Sequence, residues 1–240
     1  MDLVVFHDST LGRGGHSVVK LAKFKNNDVA IKIFNRKESQ HYERELAFYK
    51  RDDIVHPSLL KMITFGHFFK NTHMYQYIVL PLCSYEIEYT YNPRIYLPAL
   101  LSLLQYLHSK GLAVASFRAS NFLVFNGVAV MVDVGNVCAF DDVKRHIPQF
   151  STGNLIAGNK TTPWDDVVSL FYMFIHIENA YSLPWIINGG NTFDVEKLIK
   201  FAKKPSSFLE HVNADWHKLL VYMSENEKFD YCECNSLLPI

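Results

Sequence analysis

The 240-residue sequence predicts an α+β fold of two lobes, a small one of five β-strands with one helix and a larger, mainly α one. Three observations predict it. Short apolar runs broken by turn residues fill positions 1–81. One stretch among them, SQHYERELAFYKR, has helical spacing, and from Tyr96 onward helical periodicity dominates. The expected organisation is a single domain over 1–240, with the small lobe at 1–81 and the larger lobe at 82–240.

The runs LVVF, LGRGGHSVVKLAKF and VAIKIF read as a β-meander, with a hairpin turn at Asn26-Asn27-Asp28. Tyr42, Leu46 and Tyr49 lie on one face of the helix that follows the third strand. After His56-Pro57, SLLKMITFGHFF and MYQYIVLPLC supply two more strands, and Pro81 ends the extended run. LPALLSLLQYLHSKG is a long amphipathic helix stopped by Gly111. In TTPWDDVVSLFYMFIHI, Thr162 caps a helix, Pro163 takes its first position, and Asp165 and Asp166 sit at the positive end of its dipole. A helix in VEKLIKFAKK, a break at Pro205, and a last helical pair around FLEHVNADWHKLLVYMSE and CECNSLL complete the chain.

Composition limits the function classes. With 49% hydrophobic and 20% charged residues the chain belongs with globular proteins. A formal net charge of zero gives no global field for nucleic acid or an anionic membrane, and neither partner is expected. Lys197, Lys200, Lys203 and Lys204 read as a solvated helix face. The four cysteines lack paired spacing and the eleven histidines lack metal spacing, which fits reduced thiols in the cytoplasm or nucleus. The N-terminus has no signal-peptide pattern, and the most apolar segment, Val167 to Ile177, is too short to cross a bilayer. A soluble, non-secreted protein is expected.

Chemistry concentrates in three stretches. Gly12-Arg13-Gly14-Gly15-His16-Ser17-Val18-Val19 lies between two strands, where glycines let backbone amides approach phosphate oxygens that a Cβ would keep away. Lys32 ends Val29-Ala30-Ile31-Lys32 on a neighbouring strand, and Glu45 in the following helix is placed to hold it, with Glu43 as the alternative register. The third stretch, VASFRASNFLVFNGVAVMVDVG from Val114 to Gly135, contains Asn121 five positions after Ser116, and Asp133-Val134-Gly135 beyond a strand.

Together these motifs resemble a small protein kinase domain over nearly the whole chain. WDDVVSLFYMF is similar to the D-D-L-E-S-L-G-Y-M helix of the casein kinase I and vaccinia-related kinase group, Leu183-Pro184-Trp185 to its L-P-W, and ENEKFDY to its F-x-E-K-P-D-Y. The resemblance implies a two-lobed kinase-like fold. It also implies an ATP site of Gly12, Gly14, Ser17, Val19, Ala30, Lys32, Glu45, Leu80 and Leu82, with Asn121 and Asp133 for Mg2+.

LHSKGLAVASFRASNFLV aligns with the family's catalytic loop without a gap, so Val114, Ala115 and Ser116 fall at its His, Arg and Asp positions. No intact catalytic set is therefore implied. Ser116 replaces the base, and Arg118 stands at the loop lysine position and keeps a positive charge there. Between Gly135 and Asp166 there is no A-P-E motif, and Ala115 removes the cation that would read an activation-loop phosphate. The expectation is a pseudokinase that retains ATP and magnesium and acts on a protein partner; a weak or atypical Ser/Thr protein kinase is the alternative. Members of the group occur in cells and in poxviruses, and the small size and altered loop suit a viral or fast-diverging copy, which would place it in host-cell cytoplasm.

Overall fold

The computed structural model describes residues 5–35, 39–114, 117–140, 149–179, 183–187, 192–226 and 230–239, with the backbone alone at 5–8, 39 and 208. The chain forms two compact units: Met1–Tyr85 with Leu123–Asn136, and Glu86–Phe122 with Val137–Ile240. The first is built on a five-stranded sheet, and the second is mixed and more helical.

In the first unit the strands are β1 (Val5–Arg13), β2 (Ser17–Phe24), β3 (Asn27–Phe34), β4 (Thr64–Lys70) and β5 (His73–Pro81), with helix α1 (Ser39–Tyr49) after β3. The sheet order is β1-β2-β3-β5-β4 and every pairing is antiparallel. The β2–β3 turn is centred one residue earlier than the Asn-Asn-Asp cluster suggests. Lys25 and Asn26 take φ of 49° and 66°, and Asn27 already pairs with Phe24. A two-residue hairpin turn of this kind needs positive φ at both central positions. Asn71 and Thr72 repeat the pattern between β4 and β5, with φ of 49° and 65°.

Strand alternation divides the apolar residues between the two faces of the sheet. Phe34, Ile78 and Leu80 cluster with Tyr42 and Leu46 of α1, and with Leu60 and Val130. Ala22, Val29, Ile31, Ile33 and Val79 cluster on the opposite face with Phe68, Tyr75 and Tyr77. Gly66 makes room there, because a Cβ at that position would lie 2.7 Å from the Tyr77 hydroxyl oxygen. Beyond this sheet the chain forms β6 (Tyr85–Glu86) and returns to the unit through β8 (Phe122–Phe125) and β9 (Val128–Met131), in the order β6-β8-β9. The β8–β9 turn is Asn126-Gly127, both with positive φ.

The second unit holds α2 (Leu97–Ser109), β7 (Leu112–Ala113), β10 (Cys138–Ala139), α3 (Gly153–Ile156), α4 (Pro163–Glu178), β11 (Ile186–Ile187), β12 (Thr192–Phe193), α5 (Val195–Ala202), α6 (His217–Glu225) and α7 (Tyr231–Ser236). Gly111 follows α2 with φ 71°, the left-handed conformation that ends a helix. The α4 start is a full capping box: the Thr162 side chain accepts from Asp165 N, and the Thr162 amide donates to Asp165 Oδ2 at 2.8 Å. Its residues from Asp165 to Ile177 are buried all round, as expected of a core helix.

Not every element matches the sequence reading. The short α3 and the two-residue strands have no periodicity to reveal them. The stretch read as a helix from Phe208 instead forms 3-10 turns over Pro205–His211 and Ala214–Trp216, and only His217–Glu225 is α-helical. No helix among the described residues is long and apolar enough to cross a membrane. All four cysteines are free thiols.

Two polar networks in the second unit join distant segments. Asp166 Oδ2 accepts the Val114 amide at 2.6 Å and lies 3.0 Å from His108 Nε2, while the Tyr231 hydroxyl bonds His108 Nδ1. One tautomer satisfies all three: Tyr231 donates to Nδ1, and Nε2–H donates to Asp166. Burial, helped by the Asp166 charge, holds the Tyr231 hydroxyl far above its usual range, so it stays protonated and able to donate. In the second network Arg94 Nε donates to both Glu178 oxygens at 2.6 and 2.7 Å, and its Nη1 donates to Asp215 and to the Pro239 carbonyl. Trp216 Nε1 adds a second donor to Glu178 at 2.8 Å.

Candidate functional site

The candidate site is built on β3, whose alternation sends Lys32 to the same face as Ala30. Register extends that face across the sheet: Val19 pairs with Lys32, and Leu80 pairs with Ala30. Helix α1 lies on this side, and its Glu45 comes within 2.6 Å of Lys32 Nζ. Glu43, the alternative partner in sequence, is exposed and accepts from Gln76 at 3.5 Å. Asp133, which follows β9, puts Oδ1 3.1 Å from the same ammonium. Gly135 lies against the pair, where a Cβ would sit 3.6 Å from Glu45 Oε2 and 3.7 Å from Asp133 Oδ1. Residues far apart in the chain thus converge on Lys32.

One ammonium serves two carboxylates, and the charges differ in burial. The Lys32 side chain is 11% exposed, that of Glu45 2%, and that of Asp133 38%. Burial alone would lower the Lys32 pKa, but the charges and hydrogen bonds of Glu45 and Asp133 outweigh it and leave the value raised. For Glu45 burial is the largest effect, and it pushes the carboxyl up to about 7, with Asp133 adding to the rise and Lys32 opposing it. Burial and the Asp133 charge both favour the protonated form of this most buried carboxyl. Glu45 Oε1 has no hydrogen-bond partner.

The glycine hairpin is tighter than the sequence suggests. Gly12 and Arg13 belong to β1, with Gly12 opposite Val19 beside an irregularity in the ladder, and only Gly14 to His16 separate the strands. Gly14 N donates to Ser17 O at 2.9 Å and closes the turn, and Ser17 itself is buried. A Cβ at Gly12 or Gly15 would meet nothing within 4 Å, and neither glycine has positive φ. Internal packing therefore does not require these glycines, whereas close approach of a ligand to the backbone would.

The turn is also anchored in a way that no sequence spacing reveals. Asn35, just after β3, donates its amide to His16 O at 2.9 Å and its Nδ2 to Gly15 O at 3.1 Å. The His16 ring stacks on His41 of α1, with centroids 3.6 Å apart and planes 14° from parallel.

Leu82 is half-buried just beyond β5. The remaining candidates belong to the second unit. Arg118 is exposed, and its carbonyl accepts the Asn121 amide at 3.0 Å within the 3-10 turn Ala119–Asn121. Ala115 and Ser116 lie outside the described residues, as does part of ENEKFDY. Among the described residues no three His, Cys, Asp or Glu side chains gather as a metal cage. Magnesium does not need one, since it usually takes one or two carboxylates and completes its shell with water and phosphate oxygens. Asp133, partly exposed and beside a lysine suited to phosphate, fits that mode of binding. No protein-family model matches the sequence, and no curated protein matches it.

Proposed function

We propose that the chain is a kinase-like pseudokinase, which holds ATP with magnesium and acts by binding and modulating a protein partner in signalling or host-factor regulation. The observation that carries this reading is the convergence of buried Glu45 and part-exposed Asp133 on Lys32, on the sheet face bordered by the glycine hairpin. In this reading Lys32 offers its charge to the nucleotide phosphates, Glu45 keeps the lysine in place, and Asp133 holds the cation. Magnesium, when bound, neutralises phosphate charge.

Ser116 is the reason for assigning binding without efficient transfer. A serine hydroxyl cannot act as a carboxylate base at neutral pH, and general base catalysis is typically worth about 10²–10⁴-fold. The reading includes a two-lobed kinase-like fold and a cytoplasmic or nuclear location.

A thermal-shift titration with ATP, with and without magnesium, tests it. At 100 times its dissociation constant the nucleotide should stabilise the chain by about 2.7 kcal/mol, and magnesium should enlarge the effect. Unchanged melting at saturating MgATP would remove the nucleotide from the proposal. Phosphorylation of generic substrates at ordinary rates, about 1–100 s⁻¹, would remove the prefix from "pseudokinase".

Arg118 supports a second reading, weak or atypical phosphotransfer, because its exposed guanidinium supplies a cation in the loop. In that case Lys32→Ala and Asp133→Ala should each abolish a measurable transfer while Ser116→Ala barely alters it. Transfer that survives the first two substitutions would exclude the site as its source.

A further inference from the structure

We propose that His41 is a positioning residue for the glycine hairpin: through its stack on His16 it holds the Gly14–Ser17 turn to helix α1, so that hairpin and helix move together. A turn with two adjacent glycines, exposed from Gly14 to His16, would otherwise be loosely held. Its ties outside its own strands include the two Asn35 hydrogen bonds to Gly15 and His16, and the near-parallel ring stack.

Those ties lead to the two elements that carry the candidate site. Asn35 directly follows the strand of Lys32. His41 and Glu45 are four residues apart on α1, hence on one side of the helix and one turn apart. A ligand that accepts hydrogen bonds from the hairpin backbone therefore acts on the helix that sets Glu45 against Lys32, and a shift of α1 is passed back to the hairpin. The ligand half of this inference rests on the nucleotide reading above. The anchoring half does not.

The test uses the full chain with His16→Ala, His41→Ala, the double variant and His41→Phe. Amide hydrogen exchange at Gly14 to Ser17 is measured without ligand, and MgATP affinity by calorimetry. An aromatic pair is worth about 0.5–1.5 kcal/mol, so each alanine variant should speed hairpin exchange roughly 2- to 12-fold and weaken MgATP by a similar factor. The double variant should be little worse than either single one, because both remove the same contact. His41→Phe restores a stacking ring and should recover both readouts.

Additive losses, or a phenylalanine variant that behaves like alanine, would overturn the positioning role. Faster exchange with unchanged MgATP affinity would overturn the coupling. If even the unaltered chain fails to bind MgATP, the nucleotide reading falls, and the exchange rates alone decide whether His41 anchors the hairpin.

Discussion

Lys32→Met should destabilise the chain by roughly 3–5 kcal/mol near neutral pH, the usual cost of leaving a buried charge without its partner. Methionine keeps the aliphatic stem, so the loss reports on charge more than on packing. The effect should also depend on pH, in a direction that the site determines. In the folded chain the Glu45 carboxyl is pushed from 4.5 up to about 7. Between those values the folded state binds more protons than the unfolded one, so this group's contribution to stability falls as pH rises through the interval. Lys32 limits that fall by favouring the ionised form. Without it, Glu45 must hold its proton further into the alkaline range, and the penalty of the substitution should be larger at pH 8 than at pH 5. Urea denaturation at the two pH values decides it. Equal losses would mean that Glu45 does not titrate as the burial argument requires.

Asp166→Ala should cost about 2–4 kcal/mol, since it strips acceptors from a buried backbone amide and a buried imidazole at once. Its consequences should reach two remote segments. The Val114 amide, two residues ahead of Ser116, should become easier to exchange, and α7 should loosen through the Tyr231–His108 bond. Tyr231→Phe, which breaks only the last link, should loosen α7 and leave the Val114 amide protected. Exchange measured segment by segment separates the two. Equal protection of Val114 in the alanine variant would show that Asp166 is no more than the second acidic residue of its helix.

The parts of this fold that were legible in the sequence are those governed by local patterns. Lys32 falls where a short β-branched run ends, Glu45 sits within a helical repeat, and the Thr162-Pro163 start of α4 follows the local chemistry of helix termini. Glu45 is the partner the sequence favours over Glu43, and the rotation of α1 brings Glu45 to Lys32 while Glu43 faces Gln76. What stayed hidden depends on distant pairing. Arg94 is 84 residues from Glu178 and 121 from Asp215, and nothing near any of them marks the others as partners. His16 and His41 are likewise unremarkable until β3 returns the chain beside the hairpin. The Asp133–Lys32 contact spans 101 residues, and no local spacing marks the two as partners.

The division of the chain also has a consequence for synthesis. The first unit is completed by Leu123–Asn136, which leaves the ribosome after the whole of α2. When the five strands and α1 have emerged, Val130 is still missing from the apolar cluster on the helix side, and Lys32 has one carboxylate instead of two. Domains generally fold as units during translation, but here the N-terminal unit must wait while part of its neighbour is made. A nascent chain halted at residue 85 would expose the unfilled side of its core, and that interval is when a chaperone would have most to hold.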